Sequence, residues 1–234
     1  MTSPAGPGGR KNHHPLPLNF PNSRINENFY FPILVRSAGG TMTREKLKAA
    51  ALKHFAKSGY EGTSLAAIAK EVGIKPPSVY AFFSGKDDLL LTVFDEAMEE
   101  LQHELLRAGG HLHGHNMKEK LFSLLKSFVH FQMHNEQKIT FIRRTLLFPP
   151  EHLKERLSAK YSEMNNLLSK TVHTIFAEDP CGGHDPDIRM QTYLCLLDGI
   201  FLHMFLNDDH NQLCDRIHNI RKTAWSGLAA SGDL

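Results

Sequence analysis

From Thr43 almost to the C-terminus, apolar residues recur at helical spacing. Leu47, Ala51, Leu52 and Phe55 form one stripe, and Lys46, Lys48, Lys53 and Lys57 occupy the wet faces. Gly59 is placed to end this helix in a left-handed conformation, with Tyr60 folding back as the next apolar contact. Thr63 or Ser64 supplies the N-cap of a second helix, which buries Leu65, Ile68, Ala69 and Val72 and stops at Gly73. After Ile74 and Lys75, Pro76-Pro77 open a third helix, because first-turn N–H groups have no intrahelical acceptor to lose. Val79, Tyr80 and Phe83 follow at its apolar spacing.

Ser84-Gly85 interrupts the pattern. A long helix is predicted from Lys86 to Arg107, ending at Gly109-Gly110, with Asp87 and Asp88 suited to the positive end of its dipole. Further helices are predicted over Met117–Asn135, Ile139–Phe148, Glu151–Ala177, Pro186–Leu206 and Asp209–Leu228. In the Glu151–Ala177 segment Leu153, Leu157, Met164, Leu168, Val172 and Ile175 stay in register. No stretch alternates as a strand does, and no internal repeat is present. The fold class is all-α: an N-terminal three-helix unit with a helix-turn-helix, followed by a larger helical domain.

Residues 1–42 differ in kind. They hold six prolines and show no sustained period, so they read as a disordered leader. Met42 is a candidate true start, because codons for Gly39-Gly40 accommodate a purine-rich ribosome-binding sequence just upstream of it. The expected organisation is therefore a leader over 1–42, a three-helix unit over 43–91 and a second helical domain over 92–234.

Composition narrows the class. The chain has 234 residues, 41% of them hydrophobic, enough for buried cores. No apolar run approaches the roughly 18–20 residues needed to span a bilayer, and no signal-peptide pattern is present, so a cytoplasmic protein with no membrane partner is expected. Three cysteines, Cys181, Cys195 and Cys214, show no zinc spacing and read as reduced thiols. A redox pair of Cys195 with Cys214 is the alternative. The net charge of +2 is uneven: residues 1–42 and 43–91 each carry +3 and the remainder carries −4, which turns the front of the molecule toward a polyanion.

The segment with function in it is the pair of helices around Gly73. Ala69 provides a small residue where two helices cross closely, Gly73 allows the turn, and Ile74 with Val79 fills the wedge between them. A helix-turn-helix so built can lay its second helix in a DNA major groove while the first crosses the phosphate backbone.

The run TREKLKAAALKHFAKSGYEGTSLAAIAKEVGIKPPSVYAFFSGKDDLLL, residues 43–91, resembles the N-terminal domain of TetR/AcrR-family transcriptional regulators. The matching features are AALxxFAxxGYxxTS, IAxxxGI, xVYxxF and KxDLL. The resemblance implies that Thr63 or Ser64 caps the second helix and meets a phosphate. It implies that Lys75, Pro76, Pro77 and Ser78 face base edges from the first turn of the reading helix. Tyr80 would touch phosphate or a thymine methyl, Lys86 would hold a phosphate, and Arg44 and Lys46 would add flanking contacts. Three positions depart from the family pattern: Lys75 replaces the usual Ser, Pro76-Pro77 replaces Lys-Gly, and Ala81 replaces His or Trp. Prolines donate no hydrogen bonds, so base reading should lean on thymine methyls and on Lys75.

The resemblance implies a DNA-binding unit over 43–91 and a helical ligand-binding (effector-binding) and dimerisation domain over 92–234, with double-stranded DNA, a second copy of the chain and a small-molecule effector as partners. The segment Pro186–Leu206 is apolar nearly all round, with Tyr193, Leu194, Leu196, Leu197, Ile200, Phe201, Met204 and Phe205, and must be buried on several sides. In the family the last two helices form a dimer interface, and Cys214, Ile217, Ile220, Ala224 and Leu228 fit that role here. Between Met117 and Ala177, Phe122, Phe128, Phe131, Met133, Phe141 and Phe148 are candidate walls of an effector pocket, with core packing as the alternative. Arg143-Arg144 suits an anionic ligand or a salt bridge. His111, His113 and His115 alternate in a Gly-containing loop, a linker without the scaffold of a metal site.

The leading function is a dimeric repressor released from its operator by a ligand; the alternative is a ligand-independent regulator or activator of the same fold. No enzyme is indicated. A di-iron bundle needs two ExxH motifs, and the chain has one, Glu100 to His103. No nucleotide-binding glycine loop or serine elbow occurs either, so no catalytic residue, metal or cofactor is expected.

Overall fold

Helix α1 (Ala38–Ser58) buries Leu47, Ala51 and Phe55 as the sequence stripe requires, with Leu52 half-buried at its edge. It opens five residues ahead of Thr43, so residues 38–42 prolong the helix rather than the leader. Extending a nucleated helix by a turn costs far less than starting one. The protein is described here by a computed structural model covering residues 38–110, 116–179, 185–206 and 217–220. The described residues fall in the compact unit Val35–Leu234. The leader up to residue 37, the histidine loop, Cys181 and Cys214 lie outside them.

Gly59 ends α1 at φ 69°, and its N–H bonds the Phe55 carbonyl at 2.9 Å. Helix α2 (Leu65–Val72) follows, capped by Ser64, whose hydroxyl oxygen accepts from the Ala67 N–H at 3.1 Å. Thr63 is instead 3% exposed and donates its hydroxyl to the Gly59 carbonyl at 2.7 Å, so the capping role falls to Ser64 alone. Gly73, at φ 78°, closes α2, and the Ile74 N–H reaches back to the Ala69 carbonyl at 3.0 Å.

The rest of the described chain is helical too: α3 (Lys86–Gly110), α4 (Met117–His134), α5 (Glu136–Leu147), α6 (Lys154–Ala177) and α7 (Pro186–Leu206). A capping box of Asn116 and Glu119 opens α4. Pro149-Pro150 halts α5, and a 3₁₀ turn, Glu151–Leu153, leads into α6. Among the described residues no helix is long and apolar enough to cross a membrane. Helix α3 runs without a break past residue 91 and packs on α1, α4, α5 and α6, so one rod serves both the N-terminal unit and the body.

Helix α7 is held on one side. Its Arg189 is 2% exposed, pairs with Asp179 at 2.6 Å and lies over the Phe176 ring, while Tyr193 donates its hydroxyl to the Leu121 carbonyl at 2.7 Å. Leu197, Ile200 and His203 continue that buried side. The opposite side is open in the single chain: Ile188 is 60% and Leu202 53% exposed, Cys195 is exposed, and nothing lies within 4 Å of a Cβ built at Gly199. The all-round apolarity seen in the sequence therefore splits into an inward and an outward face. Of the final segment, residues 217–220 are described; they are helical, and Ile217 is buried.

N-terminal unit and body meet along α5. Phe141 is fully buried between Phe55 of α1 and Phe94 of α3, with ring centroids 6.1 and 6.3 Å away. Arg144 donates to the Lys57 carbonyl at 2.9 Å and more weakly to that of Ala56 at 3.4 Å, closing the C-terminus of α1 where the helix dipole is negative. Beside it, Asp87 accepts hydrogen bonds from the Tyr60 hydroxyl and, at 3.0 Å, from His152, whose ring also meets that of Tyr60 edge-on. The Tyr60 hydrogen bond, supported by His152 and Lys86, holds the Asp87 carboxyl below its usual range; burial and Asp87 together push the Tyr60 phenol up.

A carboxylate depressed in the folded state contributes stability above its unfolded pKa and loses it as pH falls through the folded one. Asp87→Asn is thus expected to destabilise the protein at neutral pH, with the difference from wild type shrinking below about pH 4; denaturant titrations across pH check this. A constant difference across that range would remove Asp87 ionisation as the cause. The two left-handed glycines provide a second check. Gly73→Ala meets open space and should cost only the backbone term of about 1 kcal/mol. Gly59→Ala carries the same term and also brings a Cβ to 3.1 Å from the Arg144 Nε, so it should lower the unfolding midpoint further.

Candidate nucleic-acid interface

The segment after Gly73 does not form the α-helix its apolar spacing suggests. Pro76–Ala81 is a 3₁₀ helix of six residues, entered from an extended Lys75 at φ −74°, ψ 141°. Prolines at its first two positions carry no N–H, so the earliest backbone bond it makes is from the Ser78 N–H to the Lys75 carbonyl, at 2.9 Å. The i→i+3 pattern continues from the Phe82 N–H to the Val79 carbonyl at 2.9 Å, beside an i→i+4 bond from Phe83 at 3.1 Å.

Two side chains fasten this segment inward. Val79 is 0% and Phe83 2% exposed, in the core that also holds Ile68 and Ala69 of α2. The remaining residues, Lys75, Pro76, Pro77, Ser78, Tyr80 and Ala81, are exposed. Tyr80, which the spacing grouped with the apolar anchors, is 62% exposed: a tighter 3₁₀ turn carries it outward while Val79 stays in. The structure thus brings six of the nine expected DNA-facing residues onto one short projecting segment. Ser64 is exposed at the start of α2.

The other two expected contacts are engaged internally. Thr63 uses its hydroxyl on Gly59, as described. Lys86 sits at the start of α3 with its ammonium 3.0 Å from the Tyr60 carbonyl, 3.2 Å from that of Thr63 and 3.8 Å above the Tyr60 ring. Two of its three donors therefore hold the α1–α2 connection in place. Of the flanking residues, Arg44 lies over the Phe83 ring at 4.9 Å, whereas Lys46 is exposed.

In the body, the four expected ligand residues are all buried but do not converge. Phe128 and Arg143 meet around Phe201 of α7: the rings of Phe128 and Phe201 are 6.2 Å apart, and the guanidinium lies 4.3 Å from the Phe201 centroid. Arg143, 6% exposed, donates to the Gln132 side-chain oxygen, and burial pushes its pKa down to about 10, which leaves it charged at neutral pH. That bond fixes the Gln132 amide, whose Nε2 is buried without an acceptor among the described residues. Phe131 is buried on the same helix as Phe128. Phe141 belongs to the joint with α1 and α3. Of the other aromatic and methionine candidates, Phe148 is 75% and Met133 36% exposed, so neither walls an interior space.

At the joint, His152 and the acceptor role of Asp87 had no reading in the sequence, and Arg144, read with Arg143 as suited to an anionic ligand or a salt bridge, holds backbone carbonyls instead. A signal for Arg144 was present, since neighbours on a helix point about 100° apart and cannot both face one ligand. Nothing local marks the His152–Asp87 contact, which spans 65 residues.

Residues 47–93 match the family of bacterial regulatory proteins called the tetR family. A probable HTH-type transcriptional regulator of Bacillus subtilis, YttP, is 24% identical over 116 residues, which are 50% of this chain and 56% of that protein. The fatty acid metabolism regulator protein of the same organism is 22% identical over 189 residues, 76% of this chain and 92% of that protein. Among solved structures, the transcriptional regulator FadR of Bacillus subtilis, in complex with stearoyl-CoA, superposes with a TM-score of 0.63 at 18% identity, covering 81% of this chain and 99% of that one. A TetR-like transcriptional regulator of Rhodococcus superposes at 0.65 and 17% identity, covering 85% and 100%. The structural likenesses establish a shared fold, and the sequence match falls on the helices that present Lys75 to Ala81, so the chain carries a unit of the tetR family of bacterial regulatory proteins over residues 47–93.

Proposed function

We propose that the protein is a cytoplasmic homodimeric repressor that reads duplex DNA with the segment Lys75–Ala81 and releases it when an amphipathic anion enters the body. The observation that carries the DNA side is the contrast within that segment: Val79 wholly buried, with Lys75, Pro76, Pro77, Ser78, Tyr80 and Ala81 turned out. A short rigid projection with a cation, a hydroxyl and apolar proline faces suits a groove edge, where Lys75 meets guanine or phosphate and the prolines meet thymine methyls. Ser64 and the free N–H groups of the first turn of α2 would take a phosphate. Lys86 would offer its third donor to another.

Dimerisation is supported by the outward face of α7, where Ile188, Cys195 and Leu202 are exposed among Gln191, Thr192 and Asp198. Two copies joined there, together with the last helix, would present two reading segments to a palindrome.

The ligand side rests on the Arg143 cluster. A buried guanidinium and the acceptor-less Gln132 amide both offer N–H donors, while Phe128, Phe131 and Phe201 supply apolar surface. Donors of this kind favour a carboxylate, thioester or phosphate oxygen on an apolar chain. The Bacillus subtilis FadR structure holds stearoyl-CoA, so long-chain acyl-CoA is the ligand class we assign here.

Duplexes selected by the purified protein test the first part. Lys75→Ala or Ser78→Ala should change base preference, whereas Lys86→Ala should weaken binding to all sequences and flatten the salt slope by about one unit. Equal loss in all three, or no preference over random duplex at physiological salt, would sink the assignment. For the ligand, stearoyl-CoA should weaken operator binding at least about tenfold, a typical coupling, and Arg143→Gln should abolish that response. Unchanged operator affinity at saturating stearoyl-CoA would remove the acyl-CoA class.

A further inference from the structure

We infer that Arg144 is a positioning residue through which α5 passes the state of the Arg143 cluster to the DNA-reading unit. The inference deepens the proposed ligand response and shares its assumption that the body controls the reading segment.

Helix α5 is only twelve residues long and is engaged on two sides. Phe141 and Arg144, three positions apart, share the face toward α1. Phe141 rests on Phe55, which in turn stacks on Tyr60 at 6.4 Å, and Arg144 holds the carbonyls of Lys57 and Ala56. Arg143, one residue round the helix, points instead to Gln132 of α4 and Phe201 of α7. Adjacent side chains of one rigid helix therefore grip the body's polar cluster and the last carbonyls of α1.

What Arg144 grips is the base of the reading unit. The held carbonyls lie immediately before Gly59, where the chain turns at φ 69° into Tyr60, Thr63 and the Ser64 cap of α2. Arg144 also touches that turn, since a Cβ at Gly59 would fall 3.1 Å from its Nε. A rotation or slide of α5 cannot leave Arg144 in place without dragging the end of α1 or breaking its bonds. Because α1 carries α2, the start of α2 must then tilt relative to α3.

The surroundings permit such a shift. A cleft of about 390 Å³, open to solvent, lies next to Arg144, bordered by Gly59, Tyr60, Thr145, Phe148, Pro149 and Pro150. Well-packed joints transmit strain but do not move, whereas this one has room on the side where α5 ends. On the input side, the Gln132 Nε2 has no acceptor among the described residues, so an oxygen brought to it would change the forces on Arg143. Two faces of one short element are therefore engaged by different partners, which is the physical requirement for coupling.

A double-mutant cycle tests this without a ligand or DNA. Gln132→Ala, Arg144→Ala and the double variant of the full chain are compared by amide hydrogen exchange over residues 56–64, with Phe201→Leu replacing Gln132→Ala should the latter not fold. Gln132→Ala should change exchange in that window severalfold when Arg144 is present and leave it unchanged when Arg144 is alanine. An equal factor in both backgrounds, or no change in the wild-type background, overturns the inference. Operator affinity measured on the same four proteins separates the two claims: absent duplex binding with non-additive exchange would refute the DNA-reading assignment and leave the coupling standing.

Discussion

A segment proposed to read bases must project to reach them yet be held rigidly enough to tell them apart, and in Lys75–Ala81 that conflict is resolved at Val79. Its side chain is completely buried while its neighbours on either side, Ser78 and Tyr80, are exposed. Six residues with two prolines cannot sustain an independent helix, so the segment has no stability apart from this anchor and Phe83. The anchor in turn needs the crossing of α2, which depends on the small Ala69 and on the left-handed Gly73 that releases the chain at the right angle. The Pro76-Pro77 pair has a second effect. With φ fixed twice over, the surface loses little conformational freedom on binding, so contacts made there are not offset by ordering costs.

The joint between reading unit and body is built from unlike forces that act at one place. Phe141 contributes apolar burial shared among α1, α3 and α5. Arg144 adds a cation at the negative end of α1, worth a few tenths to about 1 kcal/mol at a partly exposed site. The Tyr60–Asp87–His152 contacts tie the loop after α1 to the start of α3 and to the turn before α6. Each charged contact is modest because water reaches it. A joint of several weak polar ties around one aromatic centre is firm at rest and can be shifted by a ligand's binding energy, which suits a regulator better than a single strong lock would.

Helix α7 shows how one sequence feature acquires two meanings. Its inner side is specified by a mostly buried ion pair, Arg189 with Asp179, and by the Tyr193 hydrogen bond, both of which demand one rotation of the helix. With that rotation set, Ile188, Cys195, Gly199 and Leu202 have to face outward. That face is the one we propose for a second copy of the chain, and the bare Gly199 leaves room for close approach.

Much of this was legible in the sequence, because it depends on neighbours within a few residues. The 3.6-residue period located the helices, Gly59 and Gly73 marked two helix ends, Thr63 or Ser64 marked a cap, and the run from residue 43 to 91 carried enough family-specific spacing to show its resemblance to a tetR-family unit. What tertiary structure alone decided concerns groups far apart in the chain or rotations about a helix axis. Periodicity could not show that two prolines would tighten the reading helix into a 3₁₀ turn and expose Tyr80. Nor could it show that Thr63 and Lys86 would spend their donors on backbone carbonyls, or that Phe141 would leave the ligand cluster for the joint. Arg143 and Arg144 are the clearest case: adjacent in sequence and identical in chemistry, they acquire opposite roles because a helix turns each residue about 100° from the last, and only the packing partners decide what lies in each direction.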